Sequence, residues 1–271
     1  MNTHNHSHET GEHGGPARRR FLAASAATGA GLALAGTVLS RDALAATGLH
    51  ASQPGSETAQ DIINTALVAE QLATTFYYTA LTTPAIIGTS LLAGSSADPN
   101  NVSNDGDKNN TAYFQAALDQ EAKHAAALSK AGAMSSLTGF YFPASTFEDI
   151  GYTSKVGSFL WVLDHLETAF IGAYLAAIKR FGQLKQPALA QFAGQVLGVE
   201  CEHRALARVV SSTDPANNVT LEVVSFTNVL DAVPVLTPFL TGKGFSGAVT
   251  PAISLPTATQ ISTAVGKNSS S

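Results

Sequence analysis

The chain has 271 residues, of which 45% are hydrophobic and 13% are charged, and its formal net charge is −5 at neutral pH. This acidic balance argues against nucleic acid as a partner, because nucleic-acid binding needs a basic surface. The single cysteine, Cys201, excludes an internal disulfide framework. The length and the apolar fraction suit one domain with a substantial hydrophobic core.

Residues 1–45 have the pattern of an export signal. Arg18-Arg19-Arg20-Phe21-Leu22 resembles a twin-arginine signal, a weakly apolar run follows over residues 23–39, and Ala43-Leu44-Ala45 is a small-residue cleavage site. A membrane anchor is the alternative, although the run is short and glycine-rich for a span. We therefore expect export by the twin-arginine route to the periplasm or the extracellular space, with cleavage that leaves no permanent membrane anchor.

Residues 46–212 are predicted to form one all-α domain with four helices. Apolar residues at helical spacing mark each helix, and Gly, Pro and Asn mark the links between them. The predicted helices run from Asp61 to Leu81 with Ser56 as the cap, from a cap at Asn110 or Thr111 to Gly132, from Thr153 to Phe181, and from Pro187 to about Val210. The short link before Pro187 predicts that the last two helices are antiparallel neighbours.

Two short stretches carry the same Glu-x-x-His motif, Glu121-Ala122-Lys123-His124 and Glu200-Cys201-Glu202-His203. Positions i and i+3 share a helix face, so each motif points a carboxylate and an imidazole in the same direction. This donor pair suits iron, manganese or zinc. One such pair is weak evidence, because a Glu beside a His is common on helix surfaces, but two pairs among the four histidines that follow residue 45 indicate a metal site.

Glu70 in the first predicted helix and Glu167 in the third complete the pattern. Glu70 lies among apolar positions, where a carboxylate is costly unless it is paired or metal-bound; the alternative places it at the edge of that face. A di-metal bundle takes one Glu from each of two helices and a Glu-x-x-His motif from each of the other two. On these six residues, residues 57–212 resemble the ferritin-like di-metal carboxylate superfamily, which includes bacterioferritins, rubrerythrins, manganese catalases and desiccation-related ferritin-like proteins.

The resemblance implies a ferritin-like four-helix bundle, with a long crossover over residues 132–152 between helices two and three. It implies two Fe or two Mn ions as cofactors, with metal ions and small oxidants as partners, and it leaves a homo-oligomer open. The implied ligands are Glu70 and Glu167 as terminal carboxylates, Glu121 and Glu200 as bridges, and His124 and His203 with one ion each.

Two tyrosines are candidates for a role in catalysis. Tyr77 follows Glu70 by seven residues, and Tyr174 follows Glu167 by the same interval. Seven residues make about two helical turns, so each tyrosine shares the face of its glutamate. A radical or proton-relay role and a packing role with a satisfied hydroxyl are both open.

Other polar residues near the motifs are candidates for supporting roles. Asp164 is a candidate acceptor for the free N–H of a ligand histidine. Many superfamily members have an Asp immediately before the Glu of the motif, where this chain has Gln120 and Val199. His165 lies on a different face from Glu167 and is interpreted as a non-ligand. Cys201 is open to a thiol role, although a packing role is favoured.

Residues 213–271 are predicted to form a C-terminal extension. The apolar run Val219–Leu240 would form a strand-like piece or a short fifth helix, and its two prolines and two acids argue against a membrane span. From Gly242 onward, small and polar residues dominate, and this composition predicts an extended or poorly ordered low-complexity tail.

The resemblance leaves three functions open. The first is oxidation of Fe(II), or reaction with peroxide or dioxygen, in stress protection. The second is a non-enzymatic role as a desiccation-related structural protein with optional metal. The third is manganese catalase-like dismutation of peroxide. Fold alone does not choose among them.

The export signal is testable by conservative substitution. Replacing Arg18 and Arg19 together by Lys keeps the charge but removes the arginine pair, so the precursor should accumulate in the cytoplasm. Cell fractionation with immunoblotting for the precursor and the cleaved form measures this. Unchanged export of the double variant would refute twin-arginine routing.

Overall fold

The computed structural model describes residues 56–89, 105–151, 157–211 and 215–266, with residues 105–109 described by their backbone alone. The predicted export signal lies outside these residues. No helix in the described ranges has both the length and the apolar character needed to cross a membrane.

The described chain is mostly helical and forms the predicted ferritin-like bundle. Its four long helices are α1 (Ala59–Thr82), α3 (Asp105–Lys130), α4 (Phe159–Gln183) and α5 (Pro187–Val210), and a single turn, α2 (Pro84–Ile87), follows α1. Helix α1 packs mainly on α3, and α4 packs mainly on α5. The apolar stripes of these helices meet in a core of aliphatic and aromatic side chains, so the predicted fold class is confirmed.

Several helix boundaries differ from the predictions. Thr58, not Ser56, caps α1, because its hydroxyl accepts from the Asp61 N–H while the Asp61 carboxylate accepts from the Thr58 N–H. Helix α3 starts at Asp105, before the predicted cap. Helix α4 starts at Phe159, later than predicted, while Gly132 ends α3 as predicted, with φ +96°.

The crossover between α3 and α4 packs on the helices through its aromatic residues. It contains the short strand β1 (Gly139–Phe140) and a 3-10 turn over Ala144–Phe147. Phe140 and Phe142 are fully buried, and Phe142 lies 5.7 Å from the ring of Phe76 in α1. Aromatic burial of this kind fixes the crossover against the helices.

Residues 215–266 of the C-terminal extension are folded. The prediction of an extended or poorly ordered tail from Gly242 onward is therefore wrong for residues 242–266. A 3-10 turn (Val229–Ala232) leads into α6 (Val233–Thr241), which is the predicted short fifth helix. Strand β2 (Ile253–Ser254) then pairs antiparallel with β1, and α7 (Ala258–Val265) packs on α3. The small and polar residues that suggested disorder instead form turns, a reciprocal helix cap at Thr257 and the β1–β2 pair.

The pairing of β1 with β2 is testable at Gly139. A Cβ at this position would lie 2.6 Å from the Ile253 carbonyl oxygen, which belongs to the backbone and cannot move freely. Gly139→Ala should therefore separate the strands and destabilise the protein by about 1–3 kcal/mol. Chemical unfolding measures the loss, and limited proteolysis should show faster cleavage within residues 242–266.

Gly198→Ala is the matched control, because Gly198 is exposed in α5 and an added Cβ there meets nothing within 4 Å. Replacing glycine inside a helix should stabilise the protein by about 0.5–1 kcal/mol. Wild-type stability and protease resistance in Gly139→Ala would show that β1–β2 pairing does not hold the extension.

Candidate metal centre

Six acidic and imidazole side chains from four helices converge in the bundle core. Helices α1 and α4 each contribute one glutamate, while α3 and α5 each contribute one Glu-x-x-His motif. Five of the six are buried, with no more than 2% of their surface exposed, and only the His124 side chain reaches 13%. The structure therefore brings together all the predicted ligands, which are Glu70, Glu121, His124, Glu167, Glu200 and His203.

The six side chains form two overlapping groups. In one group, Glu70 and His124 join Glu121 and Glu200; in the other, Glu167 and His203 join the same two glutamates. Within each group, one donor atom from each residue lies within 4.8 Å of the others. Two glutamates are therefore common to both groups, and the arrangement has approximate two-fold symmetry.

Both histidines present Nδ1 to the carboxylates. The Nδ1 atom of His203 lies 2.9 Å from Glu121 Oε1, 3.3 Å from Glu200 Oε2 and 3.8 Å from Glu167 Oε1. The Nδ1 atom of His124 lies 3.3 Å from Glu70 Oε2, 3.6 Å from Glu200 Oε1 and 3.7 Å from Glu121 Oε2. Each imidazole nitrogen thus faces three carboxylates at once.

Many of these buried atoms have no directed hydrogen bond. Both carboxylate oxygens of Glu121 and of Glu200, Glu167 Oε2, and His203 Nδ1 lack a hydrogen-bond partner among the described residues. Although His203 Nδ1 is 2.9 Å from Glu121 Oε1, their angles do not suit a hydrogen bond. Buried polar atoms are normally partnered, and atoms that point to a common centre instead of to one another suit metal coordination.

Gln120 fixes the orientation of one histidine. Its Oε1 lies 2.8 Å from His203 Nε2, so Nε2–H donates to the amide oxygen and a neutral ring leaves the Nδ1 lone pair directed at the carboxylates. Val199 occupies the corresponding position before Glu200 and has no acceptor side chain. The two histidines therefore differ, since His203 is held by Gln120 and His124 has no equivalent support from Val199.

In the structure Asp164, the candidate acceptor for a histidine N–H, pairs with an arginine. Its Oδ1 accepts a hydrogen bond of 3.0 Å from Arg208 Nε on α5, so the carboxylate is used in an ion pair beside the cluster. The Nε2–H of His203 donates to Gln120, which stands where many superfamily members have an Asp. A position on a helix face did not reveal that an arginine from the next helix reaches Asp164.

The two tyrosines donate hydrogen bonds across the bundle. Tyr77 on α1 donates to Glu167 Oε1 on α4 at 2.7 Å, and Tyr174 on α4 donates to Glu70 Oε1 on α1. In each pair the earlier residue of one helix meets the later residue of the other, so α1 and α4 are antiparallel. Each hydroxyl satisfies the glutamate of the opposite helix, which agrees with the packing role that sequence left open.

Burial and mutual repulsion raise the proton affinity of the cluster. Burial, reinforced by neighbouring carboxylates, raises the pKa of Glu121, Glu167 and Glu200 above the ordinary 4.5. Burial alone would lower the pKa of His124, but the adjacent carboxylates of Glu121 and Glu70 raise it from 6.5 to about 11. The cluster therefore retains protons at neutral pH unless other positive charge is supplied.

The remaining candidate residues lie outside the cluster. His165 stacks on Trp161 with ring centroids 3.9 Å apart, and its Nδ1 lies 2.7 Å from the Trp161 carbonyl oxygen, as expected of a non-ligand. Burial, with the charge of Glu222, raises the pKa of the Cys201 thiol to about 11, which keeps it protonated and favours the packing role. Sequence reasoning missed Arg204, a buried neighbour of His203 that pairs with Glu222 of the extension.

The raised pKa values of the cluster predict how the unfolding free energy depends on pH in protein treated with a chelator. Groups with raised pKa bind more protons in the folded state than in the unfolded chain, so the unfolding free energy should fall as pH rises from about 5 to 8. The shifts of the three glutamates and of His124 act in the same direction. Thermal unfolding followed by circular dichroism at a series of pH values measures this.

Glu121→Gln removes one titrating group and should flatten this pH profile. Glu202→Gln is the control and should keep the wild-type slope, because Glu202 is exposed on α5 between the cluster residues. A wild-type melting temperature that stays constant or rises between about pH 5 and pH 8 would show that the folded state does not bind more protons than the unfolded chain.

Comparison with known proteins agrees with the architecture. A family model described as a ferritin-like domain matches residues 58–213, which is more than half of the chain and includes all six converging side chains. No curated protein and no solved structure matches the chain. The extent of the family match shows that this chain belongs to the ferritin-like domain family.

Proposed function

We propose that this protein binds a di-iron or di-manganese centre and uses it to oxidise Fe(II) or to react with dioxygen or peroxide in stress protection. The observation that carries the proposal is the convergence of four buried glutamates and two histidines, six of whose buried polar atoms have no hydrogen-bond partner among the described residues. In this proposal Glu121 and Glu200, which belong to both groups, would be shared by the two ions, while Glu70 and Glu167 would each help to hold one.

Charge balance supports two divalent cations. Four ionised carboxylates carry four negative charges in a space with little access to water, and unpaired charges there are strongly destabilising. Two divalent ions with two neutral imidazoles would balance that charge. Carboxylates with two imidazoles suit iron and manganese, whereas a purely structural zinc site would be richer in thiolate or histidine.

Neighbouring residues of the chain would hold and orient the glutamates and histidines that bind the ions. When bound, two such ions supply one-electron chemistry on small oxidants. Burial raises the pKa of Tyr77 and Tyr174 well above 10.0, so both hydroxyls stay protonated and keep donating to Glu167 and Glu70. Gln120 keeps Nδ1 of His203 directed at the cluster, and the surrounding apolar core limits access of water.

We also propose that the protein acts outside the cytoplasm. Arg18-Arg19 and Ala43-Leu44-Ala45 support export by the twin-arginine route. That route carries folded proteins, so a metal centre assembled in the cytoplasm would survive transport.

Metal loading with three readouts tests the proposed function. Purified protein would be loaded with Fe(II) or Mn(II), and metal content, dioxygen consumption and peroxide consumption would be measured. Wild type should hold two ions per chain and consume one of the oxidants. His203→Ala should weaken one ion position strongly, whereas Glu121→Ala should disrupt both because a bridge contacts both ions.

Two matched controls lie on helices that also carry residues of the cluster. Glu202→Gln alters an exposed glutamate within the α5 motif, and His165→Ala removes the α4 histidine that stacks on Trp161, so both should behave as wild type. Wild type that binds two ions but turns over no faster than His203→Ala would favour the non-enzymatic role. Wild type that binds no metal would overturn the proposal.

A further inference from the structure

The start of the C-terminal extension exposes a group of apolar side chains. Leu221, Val223 and Val224 have 83%, 60% and 70% of their surface exposed, and Val219 has 37%. These four residues are called the apolar strip. Single exposed aliphatic residues are common on protein surfaces, but four within six residues form a patch, and apolar patches mark interaction sites.

Three contacts hold the segment that carries the apolar strip against the bundle. Before and within the strip, Asn218 accepts a hydrogen bond of 3.4 Å from Arg208 on α5, and Glu222 pairs with the buried Arg204 on the same helix. After the strip, the Phe226 ring packs on the apolar core. Because the segment is already held in place, little conformational entropy would be lost when a partner covers it.

The outward face of α5 lies beside the apolar strip. Gly198, Ala205 and Val209 follow one another at intervals of seven and four residues, so they share one face of the helix. Gly198 is exposed, Ala205 is half-buried and Val209 is 51% exposed. Arg204 and Arg208, which hold the segment of the strip, directly precede Ala205 and Val209 in the chain. The strip and this helix face therefore adjoin, and neither presents a charged group at its centre.

The size of this combined surface suits a small, reversible interface. Burial of one valine or leucine side chain removes roughly 60–120 Å² of apolar surface from water, so the strip offers on the order of 250 Å². Three turns of α5 add roughly 200 Å², given the width of a helix. Two such surfaces facing each other would bury about 900 Å², which is close to the lower limit for a specific interface between two proteins.

We propose that this surface binds a second copy of the same chain across a two-fold axis. In such a contact each surface meets itself, so charged groups at its centre would repel. Glu222 is the only charged residue within residues 215–228, and its pairing with Arg204 keeps it turned towards the bundle. A different partner recognised by this acidic chain, whose net charge is −5, would be basic and would need outward acids that the strip lacks. The dimer is independent of metal and of the proposed function.

Sedimentation velocity over a series of protein concentrations tests the dimer. Wild type should show a reversible monomer–dimer equilibrium with a Kd in the micromolar range. Leu221→Lys should raise this Kd about tenfold or more, because it sets like charges against each other across the axis. Gly198→Lys should weaken the dimer as well, since its side chain would separate the two α5 helices. An added Cβ at Gly198 meets nothing within 4 Å in the single chain, so this variant should still fold.

Met134→Lys is the matched control, because Met134 follows α3, outside the proposed surface, and is 68% exposed. It should dimerise as wild type does, and circular dichroism should show that all three lysine variants are folded. Added salt should strengthen the wild-type dimer, since screening reduces the repulsion between two acidic copies.

Three results would overturn the proposal. The first is a wild type that stays monomeric at every concentration, and the second is an unchanged Kd in either Leu221→Lys or Gly198→Lys. The third is a monomeric wild type that floats with phosphatidylcholine vesicles, which would assign the apolar strip to a bilayer surface instead of a second copy.

Discussion

The burial of four carboxylates in one helical core is the constraint on which this structure depends. An ionised carboxylate removed from water is strongly destabilising unless hydrogen bonds or opposite charge compensate it. The bundle supplies both histidines and both tyrosine hydroxyls at this point, yet all four carboxylate oxygens of Glu121 and Glu200 lack a hydrogen bond from the described residues. The core is thus arranged for positive charge that the protein's own side chains do not fully provide.

The helix pairing follows from the same constraint. Tyr77 can reach Glu167, and Tyr174 can reach Glu70, only if α1 and α4 are antiparallel and in one register. His203 can reach both Gln120 and Glu121 only if α3 and α5 meet at the same level. The polar contacts therefore specify alignment along the helices, while the apolar stripes, which tolerate sliding, supply most of the stability.

Sequence predicted the features that depend on one helix at a time. The spacing of Glu121 and His124 puts both on one face whatever the tertiary arrangement, and the apolar neighbours of Glu70 indicate that it points inward. Partners on other helices were harder, because they depend on register. The hydrogen bonds of the tyrosines to opposite glutamates and the pairing of Asp164 with Arg208 both arise between helices, where spacing along one chain segment carries no information.

The C-terminal extension shows a second limit of sequence reasoning. Composition alone favoured a poorly ordered tail after Gly242, but β1 offers an unpaired edge at Gly139 and Phe140, and β2 satisfies it. Pairing at this edge is a property of the folded crossover, so local propensity could not reveal it. The extension also comes close to the Glu/His cluster, because Val229 and Leu236 line an apolar pocket together with Tyr174, whose hydroxyl donates to Glu70.

The two halves of the centre are chemically unequal despite their symmetry. The half with His203 is closed, since its side chain is 1% exposed, Gln120 holds its ring, and Tyr77 contacts it edge-on with ring centroids 5.8 Å apart. The His124 side chain in the other half is 13% exposed, and Val199, which stands before Glu200 as Gln120 stands before Glu121, has no acceptor atom in its side chain.

This second half also contains Glu70, whose carboxylate accepts a hydrogen bond from the Tyr174 hydroxyl of α4. Orientation by a second hydrogen bond tightens a ligand, and its absence leaves the ligand freer to move. In the proposed function, the His203 half therefore anchors the centre, and exchange with solvent and approach of the oxidant take place at the His124 half.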